Sequence, residues 1–158
     1  EEVESFGEFA KRNNAVASTE VKSFEHLICT EQLSRRLGFK VGEELIRVVR
    51  VRSLNGSARQ VDHGYFLESI AKGLTPEIAA SSIYDYLEHK RGVKVMASRR
   101  TVSVELANDE DCSYLDLGKY NCVAVMESQS YTSDGILFEV THARTHPEIF
   151  HYRVNSKR

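Results

Sequence analysis

Two arginines, separated by a single residue, lie in a run rich in β-branched residues, which is typical of a strand. Arg50 and Arg52 are therefore expected on one face of that strand, with Arg47 on the other. Paired guanidinium groups form a fork that fits the oxygens of a phosphate or a carboxylate. The spacing predicts an anion site, although an edge strand protected by its charges explains the same pattern equally well.

Two acidic residues and a later arginine extend the set of candidates. Asp62 lies on the strand expected after the Asn55-Gly56 turn. There it either accepts hydrogen bonds from ligand hydroxyls or, as the nearby arginines favour, forms a salt bridge across the strands. Glu139 stands among apolar residues and is either a ligand group or a solvent-facing residue, and strand alternation favours the second. Arg144 is equally ambiguous.

Two hydroxyl groups, those of Ser82 and Tyr84, follow Thr75-Pro76-Glu77 in the chain. The spacing of apolar residues predicts one helix over 76–91, with Thr75 as its N-cap and Gly92 at its C-terminal end. Ser82 then falls near the second turn rather than at the N-cap. Taken alone, the helix therefore favours a surface serine and a packed tyrosine over a pair of ligand-binding hydroxyls.

The elements that must position these side chains follow from alternation and turn signals. Asn55-Gly56 and Asp134-Gly135 mark two hairpins. Besides the helix at 76–91, short helices are expected within 1–17, at 31–37 and at 108–117, and strands at 19–24, 44–54, 60–66, 93–106, 121–132, 136–145 and 150–154. Long strands separated by a few helices predict an α+β fold with a mostly antiparallel sheet and flanking helices.

The composition is that of one globular domain and disfavours several classes of protein. The 158 residues are 41% hydrophobic and 28% charged, which is enough to build a core. The formal net charge is −2 and the basic pairs are scattered, which disfavours nucleic-acid binding by this domain itself. No apolar run approaches membrane-spanning length, so no membrane partner is expected.

Signals for metal binding and catalysis are weak. Three cysteines at wide spacing match neither a disulfide framework nor a zinc site. His142 and His146 would lie about 13 Å apart on a strand, which is too far for a chelating pair. Because no nucleophile or general base stands out, we expect no cofactor, no metal and no enzymatic activity.

Several motifs, taken in order, resemble a known family. They are Arg50-Val51-Arg52, Asp62 with Tyr65, the run from Ser82 to Glu88 with Gly92, the acidic cap Asp109-Glu110-Asp111 with Leu115, and Glu139. From Ser5-Phe6 to Tyr152 the chain resembles the effector-binding (UTRA) domain of the HutC branch of the GntR transcription regulators. Within that family it is most similar to trehalose operon repressors.

The resemblance implies a chorismate lyase-like α+β fold, a homodimer and a place in the bacterial cytoplasm. It also implies a winged-helix domain, N-terminal to residues 1–158 and absent from this chain, that binds operator DNA. The expected ligand is a small anionic effector, often a sugar phosphate such as trehalose 6-phosphate. An enzyme on the same fold and a purely structural dimerisation module are the alternatives.

The same resemblance assigns roles to single residues. Arg50 and Arg52 match the basic strand that meets the anion, and Ser82 and Tyr84 match the hydroxyls beside it. It also implies that Ser5 and Phe6 belong to a segment that closes over the ligand, and that Asp62 stands where glutamate is usual. Glu139 matches an acid that binds sugar hydroxyls, and Arg144 is the last effector-binding residue that it implies. Residues 145–152 depart from the basic-acidic-basic run of many members, which leaves the role of this segment open.

Overall fold

A computed structural model of the chain describes residues 6–152, and it confirms an α+β fold. Six strands form one antiparallel sheet in the order β1-β2-β3-β6-β5-β4. Their bounds are Ala17–Ile28 (β1), Glu44–Leu54 (β2), Ser57–Leu67 (β3), Val95–Leu106 (β4), Cys122–Thr132 (β5) and Leu137–Thr145 (β6). The helices are Phe6–Arg12 (α1), Glu31–Leu37 (α2), Pro76–Ala79 (α3), Ile83–Asp85 (α4) and Asp109–Tyr114 (α5).

The hairpin of β2 and β3 sets the register of the candidate anion site. Asn55 and Gly56 both adopt positive φ, 50° and 79°, as a tight two-residue turn requires. The turn, followed by a one-residue register shift between Ser53 and Arg52, pairs Arg50 with Asp62 and Arg52 with Gln60 across the two strands. Directly paired residues share a face, so all four side chains lie on one side of the sheet, as the sequence predicts for the two arginines.

Side-chain caps bound the two short helices α2 and α5. The Thr30 hydroxyl accepts a hydrogen bond from the Leu33 N–H, and Gly38 ends α2 in the left-handed conformation. Asn108 and Asp111 form a reciprocal capping box at the start of α5. These local interactions fix α2 and α5 at positions from which both helices pack on the sheet.

The two faces of the sheet are covered by different elements. On the first face the segment 76–90 packs over Ile46, Val48 and Phe66 through its buried residues Ala79, Ile83 and Leu87. On the opposite face a second cluster joins the strands to the chain after α5, and its members are Val49, Val51, Val61, Leu115, Leu117, Val123 and Val125. The first face is open where it reaches β4, whose Val104 and Leu106 are 72% and 75% exposed.

The single helix expected at 76–91 is wrong. Helix α3 ends at Ala79, Ala80 and Ser81 form a bend, and α4 begins after Ser82, followed by a π-helical turn at Tyr86–Lys90. Serine hydroxyls compete for backbone groups: the Ser81 Oγ donates to the Ile78 carbonyl, and the Ser82 Oγ accepts from the Asp85 N–H at 3.2 Å. Two adjacent serines thus interrupt a pattern of apolar residues that is otherwise helical.

The strand expected at 150–154 is also not observed in the part of the chain that is described. Pro147–Ile149 form a short 3₁₀ turn, and residues 150–152 belong to no strand. Pro147 lacks the N–H that would continue a ladder after β6, and the preceding His146 caps the turn by accepting from the Glu148 N–H. Residues 153 and 154 lie outside the described residues.

Candidate functional site

A cleft of about 420 Å³ opens on the first face of the sheet, between the segment 80–85 and the elements α1, β1 and β2. Its volume lies within the range of small-molecule sites. Five of the residues predicted from the sequence line it together: Arg50, Arg52, Ser82, Tyr84 and Glu139. These residues come from three separate parts of the chain, and the sheet and the broken helix bring them to one place.

The floor of the cleft carries two guanidinium groups that share one carboxylate. Arg50 Nη2 donates to Asp62 Oδ2 at 3.0 Å, and Arg52 Nη1 donates to the same oxygen at 3.5 Å. Asp62 is 3% exposed, and its second oxygen accepts from the Gln60 amide. Arg50 Nη1 also donates to the Ala79 carbonyl at the end of α3. At the floor of the cleft two cations thus share one carboxylate.

Arg52 keeps donors that no residue in 6–152 uses. Its Nε–H is buried and has no acceptor, and the Phe6 ring lies 4.5 Å from the guanidinium carbon. Burial lowers the pKa of Arg52, and the neighbouring Arg50 acts in the same direction, because both disfavour a further positive charge. An anion entering the cleft would relieve both effects.

Glu139 forms the inner wall of the cleft with hydroxyl partners. It is 4% exposed, which corrects the preference for a solvent-facing side chain, since β6 is an inner strand and both of its faces are covered there. The Tyr84 hydroxyl donates to Glu139 Oε2, and the Thr141 hydroxyl donates to Oε1 at 2.9 Å. Burial raises the pKa of Glu139, because the hydrogen bonds that favour the carboxylate offset only part of its desolvation.

Tyr84 spans the edge of the cleft. The residue is 40% exposed, but its hydroxyl reaches inward to Glu139 and to the Ser130 Oγ, which lies 3.0 Å away. Burial first, and then the charge of Glu139, raise the pKa of Tyr84 far above its ordinary value, so the group is a neutral phenol. Ser82 lies at the mouth of the cleft as the N-cap of α4, so its hydroxyl is held in place by the backbone.

The other predicted site residues lie in different places. Phe6 packs over Arg52 at the margin of the cleft, and Asp62 lies beneath both arginines. Arg144 is on the opposite face of the sheet, where it binds Asp111 and Glu105, so the structure does not bring it to the cleft. Ser5 lies outside the described residues.

Comparison with known proteins identifies the family. Residues 12–151 match the model of the UTRA domain. The chain belongs to the UTRA domain family. It is similar to the HTH-type transcriptional regulator TreR of Bacillus subtilis, at 28% identity over 148 residues that make up 94% of this chain and 62% of TreR. It is 23% identical to the HTH-type transcriptional repressor NagR of the same organism, over 89% of this chain and 57% of NagR.

Solved structures agree with this UTRA assignment. The effector-binding domain of the B. subtilis trehalose repressor TreR superimposes with a TM-score of 0.81 at 27% identity, over 89% of this chain and 98% of that domain. PhnF from Mycobacterium smegmatis gives a TM-score of 0.83 at 17% identity, over 99% of this chain and 69% of PhnF, and this likeness concerns the fold alone. The present chain spans less than two thirds of the length of the curated relatives TreR and NagR.

The UTRA fold also places next to the cleft-lining residues partners that the sequence did not single out. Gln60 donates to Asp62, Thr141 donates to Glu139, and Ser130 contacts the Tyr84 hydroxyl. The strand register could have indicated them, because Gln60 pairs with Arg52 and Ser130 pairs with Glu139. The order of the strands, however, is needed before that register can be written down.

Neither a metal site nor a membrane span is found between residues 6 and 152. In that range no group of three or more His, Cys, Asp or Glu residues is arranged to hold a metal ion. No helix there is both long enough and apolar enough to cross a membrane.

Proposed function

We propose that this UTRA domain is the effector-sensing part of a bacterial transcriptional repressor, and that its cleft binds a small anionic effector of the sugar phosphate class. One observation carries the proposal: Arg50 and Arg52 share the single Asp62 carboxylate, a buried N–H of Arg52 has no acceptor among residues 6–152, and the fork opens into a cleft. Anions bind where preorganised donors are left unsatisfied by the protein itself.

The residues of the cleft divide into two recognition groups. Arg50, Arg52 and the fixed Ser82 hydroxyl supply donors for phosphate oxygens. Glu139 and Tyr84 supply an acceptor and a phenol for sugar hydroxyls. Asp62 lies beneath the arginines and accepts hydrogen bonds from both. Trehalose 6-phosphate is the first ligand to test, because TreR is named a trehalose repressor and its effector-binding domain shares this fold.

Binding would regulate rather than transform the ligand. An effector that binds one arrangement of the protein better than another shifts the equilibrium between DNA-binding and free states, and couplings of this kind amount to roughly 1–3 kcal/mol. Operator DNA would be bound by another domain of the whole protein, as the HTH-type names of the relatives suggest. The cleft is open and has charged and hydroxyl side chains in its lining, which does not favour a purely structural module with a filled cavity.

A homodimer is the second part of the proposal. Among residues 6–152, strand β4 is paired only with β5, and its outer edge has backbone groups that no described strand pairs, beside the exposed Val104 and Leu106. A second copy of the same strand satisfies such an edge by a self-complementary contact. Sedimentation equilibrium of the wild type and of Val104→Lys tests this, and a monomer at all concentrations for the wild type would contradict it.

Isothermal titration calorimetry of the purified domain with trehalose 6-phosphate, glucose 6-phosphate, glucosamine 6-phosphate and free trehalose tests the effector proposal. At least one phosphate should bind, free trehalose should bind more weakly, and Arg50→Ala should reduce the affinity by about tenfold or more. Arg47→Ala is the matched control, because Arg47 lies on the same strand but faces the other side and pairs with Glu25. Equal affinity for wild type and Arg50→Ala would refute the anion site, and turnover of chorismate would favour an enzyme instead.

A further inference from the structure

Arg100 on β4 is a second arginine with an unused, buried donor. Its Nε–H is buried and finds no acceptor among the described residues, although the side chain as a whole is only half-buried. Arg99, its neighbour, is exposed on the opposite face. A buried N–H without a partner is costly unless a ligand or a water molecule accepts from it, so this group is a candidate binding donor.

The strand register places Arg100 within a strip of hydroxyl groups. Arg100 pairs with Ser128 across β4 and β5, and Ser128 pairs with Thr141 across β5 and β6. In the adjacent row, Ser98 pairs with Ser130, which pairs with Glu139. Directly paired residues share one face. We call this group the polar strip, and its members are Ser98, Arg100, Ser128, Ser130 and Thr141.

The polar strip continues from the inner wall of the cleft. Glu139 lines the cleft and accepts from Thr141, a member of the strip. Tyr84 also lines the cleft, and its hydroxyl contacts Ser130, while the charge of Arg100 is close enough to influence Tyr84. Tyr84 and Glu139 therefore form the boundary between the cleft and the strip.

The distances between strands suit a ligand with two parts. Neighbouring strands are about 4.8 Å apart, so β4 lies about 10 Å from β6 and about 19 Å from β2. The long side chains of Arg50 and Arg100 extend from β2 and β4 and shorten the span that a ligand must cover. A ligand anchored at the fork therefore reaches the strip only if it extends past Tyr84.

We propose that the polar strip is a second subsite, in which Arg100 with Ser98 and Ser128 binds the second ring of a disaccharide phosphate. This inference rests on the proposed function, because the fork must hold the phosphate for the second ring to reach Arg100. Sugar hydroxyls both accept and donate hydrogen bonds, so they match one guanidinium group surrounded by hydroxyls. A monosaccharide phosphate would fill the cleft and leave the strip empty.

The test compares trehalose 6-phosphate with glucose 6-phosphate by titration calorimetry on the wild type, Arg100→Ala and Arg99→Ala. Arg100→Ala should weaken trehalose 6-phosphate binding by about tenfold or more and leave glucose 6-phosphate binding unchanged. Arg99→Ala should change neither affinity. Ser128→Ala, a smaller change on the neighbouring strand, should weaken only the disaccharide ligand, by a few-fold.

Five outcomes would overturn the inference. If Arg100→Ala binds trehalose 6-phosphate as tightly as the wild type does, the polar strip is not a subsite. If both ligands lose affinity equally, Arg100 acts on the phosphate or on the shared cleft through Tyr84, and not on the second ring. A shift of the monomer–dimer equilibrium with both affinities unchanged makes the strip a subunit interface. Binding of glucose 6-phosphate but not trehalose 6-phosphate to the wild type defeats the subsite and leaves the proposed function intact, whereas failure of every sugar phosphate defeats the proposed function itself.

Discussion

Arg52 and Arg144 both lie beside a buried aspartate, on opposite faces of the same sheet, and they differ in how their donors are used. Arg144 donates from Nε and Nη2 to Asp111, at 2.9 Å and 2.8 Å, and from Nη1 to Glu105 at 2.6 Å. Within residues 6–152, Arg52 makes one long hydrogen bond of 3.5 Å to Asp62, shares that carboxylate with Arg50, and has a buried N–H without an acceptor.

The pKa directions follow the same division. Hydrogen bonds to Asp111 raise the pKa of Arg144, which stabilises its charge, whereas burial lowers the pKa of Arg52. Asp111 is in addition part of the capping box of α5, so the pair on the second face joins a helix to the sheet. Arg144, whose three nitrogens all donate to carboxylates, stabilises the fold. Arg52, whose buried N–H has no acceptor among residues 6–152, is available to a ligand.

The largest expected effect is a loss of stability on the face of the sheet that carries Arg144. Arg144→Ala leaves the Asp111 carboxylate, which is 1% exposed, without its cation. Removing one partner of a buried pair costs about 3–5 kcal/mol of unfolding free energy. Urea denaturation measures this, with the exposed Arg99→Ala as the control. A loss below about 1 kcal/mol, or a variant that is stable but no longer binds effector, would show that Arg144 does not have the structural role assigned here.

A second effect concerns the pH dependence of the cleft. Burial raises the pKa of Glu139 above its ordinary value of 4.5, so the native state holds this proton more tightly than the unfolded chain does. As pH rises above that value the unfolded state ionises first, and the contribution of Glu139 to stability falls until the raised pKa is passed. The difference in unfolding free energy between wild type and Glu139→Gln should therefore shift in favour of the variant with rising pH.

Denaturation of both proteins from about pH 4 to pH 8 measures this slope. Tyr84→Phe sharpens the comparison, because loss of a hydrogen bond to the carboxylate should raise the pKa of Glu139 further and steepen the dependence. If the difference stays constant over the whole pH range, the cost of burying the Glu139 carboxylate does not exceed the gain from its hydrogen bonds, and this account is contradicted.

The smallest effect on stability is expected at Ser82, the N-cap of α4. Ser82→Ala removes the cap and should cost about 1 kcal/mol, whereas Ser82→Gly should cost only a few tenths. Both variants lack the hydroxyl, so both should bind a sugar phosphate more weakly than the wild type by a similar factor. Thermal denaturation and calorimetry separate the two roles. If Ser82→Gly binds as tightly as the wild type, the hydroxyl is a cap and has no contact with the effector.

The sequence predicted local features of the fold well, because the determining contacts are close in the chain. Asn55-Gly56 sets the turn between β2 and β3, but a register shift between Arg52 and Ser53 is also needed to pair Asp62 with Arg50. The caps of α2 and α5 are likewise readable from Thr30 and Asn108. The break at 80–82 was missed because the apolar spacing continues through it, while the decisive interactions are serine hydrogen bonds to the backbone.

The parts of the site that depend on contacts distant in the chain were not predictable in this way. Glu139 is buried because β6 lies between β3 and β5, an order that strand alternation does not reveal. Arg144 has the same residue type and strand context as a ligand-binding arginine, and only the packing of α5 beneath it settles its partner. From the sequence alone, Arg99 and Arg100 look like a pair of surface residues. Only the strand register shows that Arg100 lies beside Ser128.

Nuclear magnetic resonance of the arginine Nε–H groups tests the central claim most directly. A domain labelled with ¹⁵N is titrated with trehalose 6-phosphate and, separately, with inorganic phosphate, and the Arg52 and Arg144 signals are assigned by substitution of each residue. The Arg52 signal should move on addition of either anion, because its buried N–H gains an acceptor, while the Arg144 signal should remain in place. Movement of the Arg144 signal alone, or no movement of the Arg52 signal at saturating ligand, would contradict the assignment of the anion site to the face that carries Arg52.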